Sequence, residues 1–422
     1  MAKKSAKIQE IREMIGETGL IIVENVGIEP LLALHDEYEG IEDTRFQPYV
    51  EHLLPDIVMI TLIAVMARCD EWGDIADFAR LKVGWFKTFL VLPNGIPSHD
   101  TIQRVMAMID GTVLYSLTIQ FLIRSMDILS ALARKRKLGA HPELEGTVDE
   151  PEVLAIDGKT SRGSKRNKTD RHAVKGMHTV SVYSTDRGLC LSETVVNEKT
   201  NEIPAVQDLL AITNVSGCIV TWDALNTQKE TVKAVIAKRG DYVGALKGNQ
   251  PLFHEEVTQF FDKTTLETLE KSDDSYKKTI EKEQSGVATR EYYLSPDISW
   301  FQDRKEWAGL KSFGCVRRTL VKSTGETTID TRYFIASITD INAFAKSVRA
   351  HWQVENNLHW HLDYTFKDDQ NTTMKKHGAQ NLQTMKRVVL AILGLVKSFY
   401  DDKSLRRIRL ILSVDFEPES VH

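Results

Sequence analysis

Val153-Leu154-Ala155-Ile156-Asp157-Gly158-Lys159 and Cys218-Ile219-Val220-Thr221-Trp222-Asp223 share one pattern: a short apolar run that stops at an aspartate. Continuous apolar runs of this length, rich in β-branched residues, read as buried strands. His178–Tyr183, Leu189–Val195 and Tyr242–Leu246 read as further strands, and Ile203–Leu210 and Gln228–Lys238 as helices. Three early strands followed by alternating helix and strand predict an α/β fold, a mixed sheet with helices on its faces.

Working outward, residues 151–250 form the first part of this core. From Pro251 the chain turns helical, and the polar stretch Lys263–Tyr276 follows. Thr289–Leu294, Cys315–Val321 and Thr331–Ile338 then read as strands with solvated, charged connections. The pattern predicts a β-rich insertion over 251–338. Helices over Ile341–Leu362 and Ala379–Tyr400 complete the core within 339–402, and 403–422 reads as a tail whose end, Val414–His422, is mildly acidic and frayed.

On the other side, residues 1–135 read as a helical N-terminal domain. Pro55 suits a first helical position, and Asp56–Cys69 is apolar on most faces. Leu92-Pro93-Asn94-Gly95-Ile96-Pro97 breaks the pattern. Ser98 then caps a helix whose apolar face carries Ile102, Val105, Met106 and Ile109. Thr112–Ala133 is a long apolar-periodic stretch. Residues 136–150 lack periodicity and read as a linker.

The chain has 422 residues, enough for two or three domains. Four scattered cysteines form no CxxC pair, which argues against a zinc ribbon or disulfide framework and fits a reducing cytoplasm. The longest apolar run, Ile57–Ala67, is far shorter than the roughly 20 residues of a membrane span, so no membrane association is expected. Net charge is -5, yet Lys159, Arg162, Lys165, Arg166, Lys168, Arg171 and Lys175 crowd one stretch with a single acid, Asp170. Such a basic loop either is a solvated connection or neutralises nucleic-acid phosphates.

Glu355 lies in the helical stretch Val348–Asn357. Together with Asp157 and Asp223 it makes a set of acids that can converge on two magnesium ions, the arrangement that cuts and joins phosphodiesters. Each acid also has a plainer reading: Asp157-Gly158 as a turn, Asp223 as a helix N-cap, Glu355 as a solvated helix carboxylate. His351, Glu355 and His359 recur every four residues and share a helical face, which Asp363 continues. That face could hold zinc, or His351, His359 and Asp363 could orient the metal-binding acids from behind. Trp352 and Trp360 read as core or as base-stacking platforms, and Asp368 and Asp369 as surface acids.

Ile156-Asp157-Gly158-Lys159, Trp222-Asp223-Ala224-Leu225-Asn226-Thr227-Gln228 and His351-Trp352-Gln353-Val354-Glu355-Asn356-Asn357-Leu358-His359-Trp360, with Leu362-Asp363-Tyr364-Thr365-Phe366, resemble the DDE transposases of bacterial insertion sequences. The similarity is closest to the subgroup that includes the H-repeat-associated proteins, and it covers roughly residues 50–400. Leu92–Thr101 resembles the domain that precedes the catalytic core in that subgroup. The resemblance implies an RNase H-like core, with Asp157, Asp223 and Glu355 as catalytic metal-binding carboxylates. It implies two Mg2+ ions, for which Mn2+ can substitute. It also implies double-stranded DNA partners (element ends and target), a homodimer on DNA, and a place with the bacterial nucleoid in the cytoplasm.

One departure stands out. Many members of the broader group carry Tyr seven residues and Arg four residues before the glutamate, and Lys seven residues after it. Here those positions are Val348, His351 and Leu362. Phosphate contacts are therefore expected from Lys159, Arg162, Lys165, Arg166, Lys168 and Arg171, or from Arg349 or Lys367. Gln103 and Arg104 are candidates to read base edges if the Ser98-capped helix is the second of a helix-turn-helix. Two other functions share these residues: an RNase H-like nuclease that cleaves without joining, and a non-catalytic DNA-binding protein derived from a mobile element.

Overall fold

A computed structural model describes residues 29–140, 150–160, 178–196, 202–283, 285–368, 377–397 and 403–415. Its centre is one nine-stranded sheet. The strands are β1 (Val153–Thr160), β2 (His178–Ser184), β3 (Leu189–Val196), β4 (Ile219–Trp222), β5 (Asp241–Leu246), β6 (Tyr276–Glu283), β7 (Gly286–Ser295), β8 (Ser312–Lys322) and β9 (Thr327–Ala336). Their order across the sheet is β3-β2-β1-β4-β5-β9-β8-β7-β6. β1 runs antiparallel to β2 and parallel to β4, and β4 runs parallel to β5. This is an RNase H-like mixed sheet with flanking helices.

The β-rich insertion is not a separate body. β9 pairs antiparallel with β5, so the four insertion strands prolong the core sheet. One of them, β6, starts at Tyr276, where the stretch that reads as polar ends, and lies outside every strand expected from the residues. Tyr-Lys-Lys-Thr-Ile-Glu-Lys-Glu is mostly charged, as befits an edge strand whose lysines discourage further pairing.

Alternation along the strands decides what each face meets. On β1, Leu154 and Ile156 join Val220 and Trp222 of β4 in a core beneath α7 (Glu202–Ile212) and α8 (Lys229–Ala237). Ala155 belongs to the opposite face. So does Ile219, which packs under α11 (Ile341–Gln353) with Phe344 and Val348. Asp157 and Asp223 have the parity of Ala155 and Ile219, so both belong to the α11 face.

The helical layer comprises α1 (Glu29–Glu39), α2 (Leu54–Met66), α3 (Trp72–Leu81), α4 (Val83–Phe86), α5 (His99–Met108) and α6 (Gly111–Ala140). α2 buries nearly every residue, including Asp56, which is bonded to His35 Nε2 (3.0 Å) and to the Leu92 N–H (2.9 Å). The Ser98 hydroxyl caps α5 by accepting from the Thr101 N–H at 3.2 Å. α6 continues to Ala140, so the first residues expected in a linker are helical. A sequence of good helix formers needs no apolar face to extend a helix already nucleated.

After α9 (Pro251–Phe260) and α10 (Lys263–Leu269), which precede β6, the chain ends in α11, α12 (Trp360–Tyr364), α13 (Gly378–Val396) and α14 (Leu405–Asp415). α13 joins the layers: Asn381 Nδ2 donates to Met106 O (2.6 Å) and Ile109 O (3.0 Å), closing the end of α5. The tail is helical over Leu405–Asp415, and the rest of the segment expected to fray lies outside the described residues. Arg409, 1% exposed, donates to Thr365 O, Val65 O and Asp70, which ties α14 to α2. Asp368 is likewise no surface acid; it is 2% exposed and paired with Lys386. Among the described residues no single helix is long and apolar enough to cross a membrane.

Candidate active site

β1 and β4 carry the two aspartates to one place. Their register pairs Ile156 with Trp222, so Asp157 and Asp223 are the next residues on adjacent parallel strands. Neighbouring strands lie about 4.8 Å apart. The Asp157 carboxylate is fixed from two sides: Oδ1 accepts from the Gly158 N–H (2.9 Å), and Oδ2 lies 3.0 Å from His359 Nε2. Asp223 ends β4 and caps a short 3-10 turn, Ala224–Asn226. Its Oδ1 accepts from the Asn226 side-chain amide at 3.2 Å.

Glu355 and His359 belong to a single π-helical turn, Val354–His359, between α11 and α12. Such turns are rare and recur at functional sites. The turn places Glu355 roughly one helical repeat from His359, the residue bonded to Asp157. Glu355 is exposed, and its carboxylate has no partner among the described residues. The three acids stand apart: among the described residues, three acid or imidazole ligand atoms come within 4.8 Å of one another only at His35, Asp36 and Glu39. That trio lies along α1, and His35 is already bonded to Asp56.

The two strand-end charges are compensated unequally. Burial pushes the Asp223 carboxyl up, and the like charges of Glu202 and Asp157 push it further. Burial also works to raise Asp157, but its bond to His359, the nearby His351 and the Gly158 N–H together hold it below the usual carboxylate range. His351 is pulled down by burial, against the attraction of Asp157 and Asp223, and its Nδ1 is buried without a partner among the described residues. Neither aspartate is bonded to a Lys or Arg among the described residues.

The family comparison fits this geometry. The family described as "Transposase DDE domain" matches residues 149–390, and its companion "DDE_Tnp_1-associated" matches 36–122. The chain belongs to the DDE transposase family. "Putative transposase YncI" of Escherichia coli O157:H7 is 30% identical over 92% of this chain and 94% of its own length. "H repeat-associated putative transposase YhhI" of Escherichia coli K12 is 31% identical over 87% of this chain and 92% of its own. A shorter relative, "Inactive transposase YbfQ" of the same strain, is 41% identical over 14% of this chain and 69% of its own.

DDE domains generally use divalent metal ions, and the donor set of this transposase fits a hard dication. It offers carboxylate oxygens on partly buried strand ends, that of Asp223 destabilised by neighbouring acids and that of Asp157 flanked by imidazoles. His359 is bonded to Asp157, and His351 lies near both aspartates. Asp363 comes close by another route, since both its oxygens lie 2.6 Å from Lys159 Nζ.

That pair corrects the reading of Lys159 as a DNA contact. The side chain is only 8% exposed and its ammonium is held by Asp363, so it turns inward. Arg349 is engaged too, with Glu281 of β6 at 2.8 Å. Arg162, Lys165, Arg166, Lys168 and Arg171 lie outside the described residues. On α5, Gln103 is half-buried and Arg104 exposed.

Two groups of residues escape a reading of the sequence. One lines a cavity of about 310 Å³ beside Asp223, where Lys247, His254 and Arg332 gather with Trp352, and the Arg332 guanidinium lies 4.6 Å from the Trp352 ring centroid. Lys247 and Arg332 sit in the unremarkable runs Leu246–Gly248 and Thr331–Tyr333, and only the β5–β9 pairing brings them together. The other is Glu202 with His178, whose Oε1 and Nε2 lie 3.1 Å apart.

Proposed function

We propose that this transposase binds the ends of an insertion sequence as double-stranded DNA, cuts at the 3′ ends and joins them to target DNA. Asp157, Asp223 and Glu355 would hold two Mg2+ ions, with Mn2+ able to substitute. When bound, such an ion pair activates a water or 3′-hydroxyl and stabilises the leaving oxygen, which serves both cleavage and joining. A homodimer on DNA would bring two ends together.

The observation that carries this reading is the bond between His359 and Asp157. It anchors the helical segment of Glu355 to the strand that carries the first aspartate, next to the strand that carries the second. The protein's own groups do the orienting. The Gly158 N–H and His359 fix the two oxygens of Asp157, and Asn226 holds Asp223. DNA contacts would come from the basic stretch Arg162–Arg171, from Arg104 and Gln103, and from Lys247 and Arg332 beside Asp223.

The test incubates the purified protein with labelled element ends, Mg2+ and a plasmid target. The reading predicts a 3′-end nick and then a covalently joined product, both abolished by chelation. Cleavage with no joined product under any target condition would leave a nuclease instead. DNA binding with no divalent-dependent scission would leave a binding protein.

A further inference from the structure

Glu202 opens α7, yet it is only 4% exposed. A carboxylate at the first turn of a helix is ordinary; one buried there against a strand is not. Its Oε1 is bonded to His178 Nε2 at 3.1 Å, and His178 Nδ1 is bonded in turn to Thr160 Oγ1 at 2.7 Å. The imidazole is thus clamped between β1 and α7, which fixes where the carboxylate points. No partner for Oε2 is present among the described residues.

Where it points is marked by Gly158. This residue has the parity of Leu154 and Ile156 and so faces α7. A Cβ built on Gly158 would collide with Glu202 Oε1 and would lie 2.8 Å from His178 Nε2 and 2.9 Å from Glu202 Cδ. The carboxylate therefore occupies the space a side chain would fill, one residue beyond Asp157 on β1. α7 also packs against the 3-10 turn that follows Asp223. A buried acid beside the end of β1, near enough to push the Asp223 carboxyl up, adds negative charge where two aspartates already repel. Evolved cores avoid that unless a cation offsets it.

We propose that Glu202 is a fourth carboxylate of the metal centre, reaching the ends of β1 and β4 through the gap at Gly158 and held in place by His178 and Thr160. The role deepens the proposed function and rests on Asp157 and Asp223 being metal ligands. It gives the centre an acid on the α7 face of the sheet, where Asp157, Asp223 and Glu355 approach from the α11 face. Because the anchor is a hydrogen bond to one oxygen, the other is left for a cation or its bound water.

The experiment measures Mn2+ binding to the full-length protein by the electron paramagnetic resonance of free Mn2+, without DNA and without turnover. Glu202→Gln keeps the shape of the side chain, and its amide oxygen can still accept from His178. It should weaken Mn2+ binding about tenfold or more, whereas Glu255→Gln, on the exposed face of α9, should bind like the unaltered protein. His178→Leu leaves the carboxylate but removes its hydrogen-bonding anchor and should weaken binding by a smaller factor. It stands in should Glu202→Gln melt early. If Asp157→Asn and Asp223→Asn lose Mn2+ while both Glu202→Gln and His178→Leu retain it unchanged, Glu202 has no part in the centre and the proposed function survives. If Asp157→Asn and Asp223→Asn also retain full binding, the metal centre itself is misplaced and this inference falls with it.

Discussion

His359 Nε2 lies 3.0 Å from Asp157 Oδ2, joining residues 202 positions apart in the chain. The bond fixes one oxygen of the first aspartate and holds the π-turn, with Glu355 in it, over the end of β1. Groups that orient a metal ligand typically matter by about 10–100-fold in affinity or activity. His359→Ala should therefore slow cleavage of labelled ends by about that factor, with DNA affinity in a gel-shift titration unchanged. The same variant should raise the Asp157 carboxyl titration followed by NMR, because burial is then less opposed. In the unaltered protein, the depressed Asp157 value means its ionised form supports folding above the ordinary carboxylate range. That support is lost as pH falls through the depressed value.

Asp223 carries the opposite sign. Its carboxyl is raised by burial, then by Glu202 and Asp157. The stability it brings is full below the ordinary carboxylate range and is lost as pH rises through the raised value. At neutral pH without metal, Asp223→Asn should melt at a higher temperature than the unaltered protein, since asparagine still caps the 3-10 turn and removes the repulsion. It should also lose most of the rise in melting temperature that Mg2+ or Mn2+ gives. Scanning fluorimetry with and without each ion measures both effects; a lower metal-free melting temperature would contradict the charge argument.

Gly158→Ala adds a methyl group where Glu202 and His178 already sit. Overpacking of this kind costs about 1–3 kcal/mol, which urea denaturation resolves. A neutral outcome would mean that Glu202 moves aside freely and is not clamped by His178.

Much of this fold is legible from the chain. The runs ending at Asp157 and Asp223 are β-rich and apolar because both faces of those strands are covered, and they read as strands for that reason. The helix face of His351, Glu355 and His359 is visible from spacing alone, although the π-turn that carries Glu355 is not, since i+4 spacing looks alike in either helix. β6 is invisible because an edge strand with alternating charge has no buried face to announce it. Glu202 is hidden by its place at the start of a helix, where an acid is commonplace. Its burial, its bond to His178 and the missing side chain at Gly158 reveal that it turns inward. Lys159 reads as part of a basic stretch, but strand parity sends it to Asp363 on α12.

That last difference separates two kinds of lysine. Each phosphate neutralised by a basic side chain adds about 0.9 to the magnitude of the slope of log affinity against log salt. Lys165→Ala and Arg166→Ala should each reduce the slope by about that amount. Lys159→Met should leave the slope unchanged and lower thermal stability, because Asp363 is then without its ammonium partner. An equal drop in slope for Lys159→Met would return that residue to the DNA surface.

The most direct measurement compares the protein with Asp157→Ala, Asp223→Ala and Glu355→Ala in Mg2+-dependent cleavage of labelled element ends, alongside DNA binding by the same preparations. Each single substitution should abolish detectable cutting while binding is largely kept. If any one of the three cuts as fast as the unaltered protein, that residue does not serve the metal centre, and the two strand ends with the π-turn are not together the site of the chemistry.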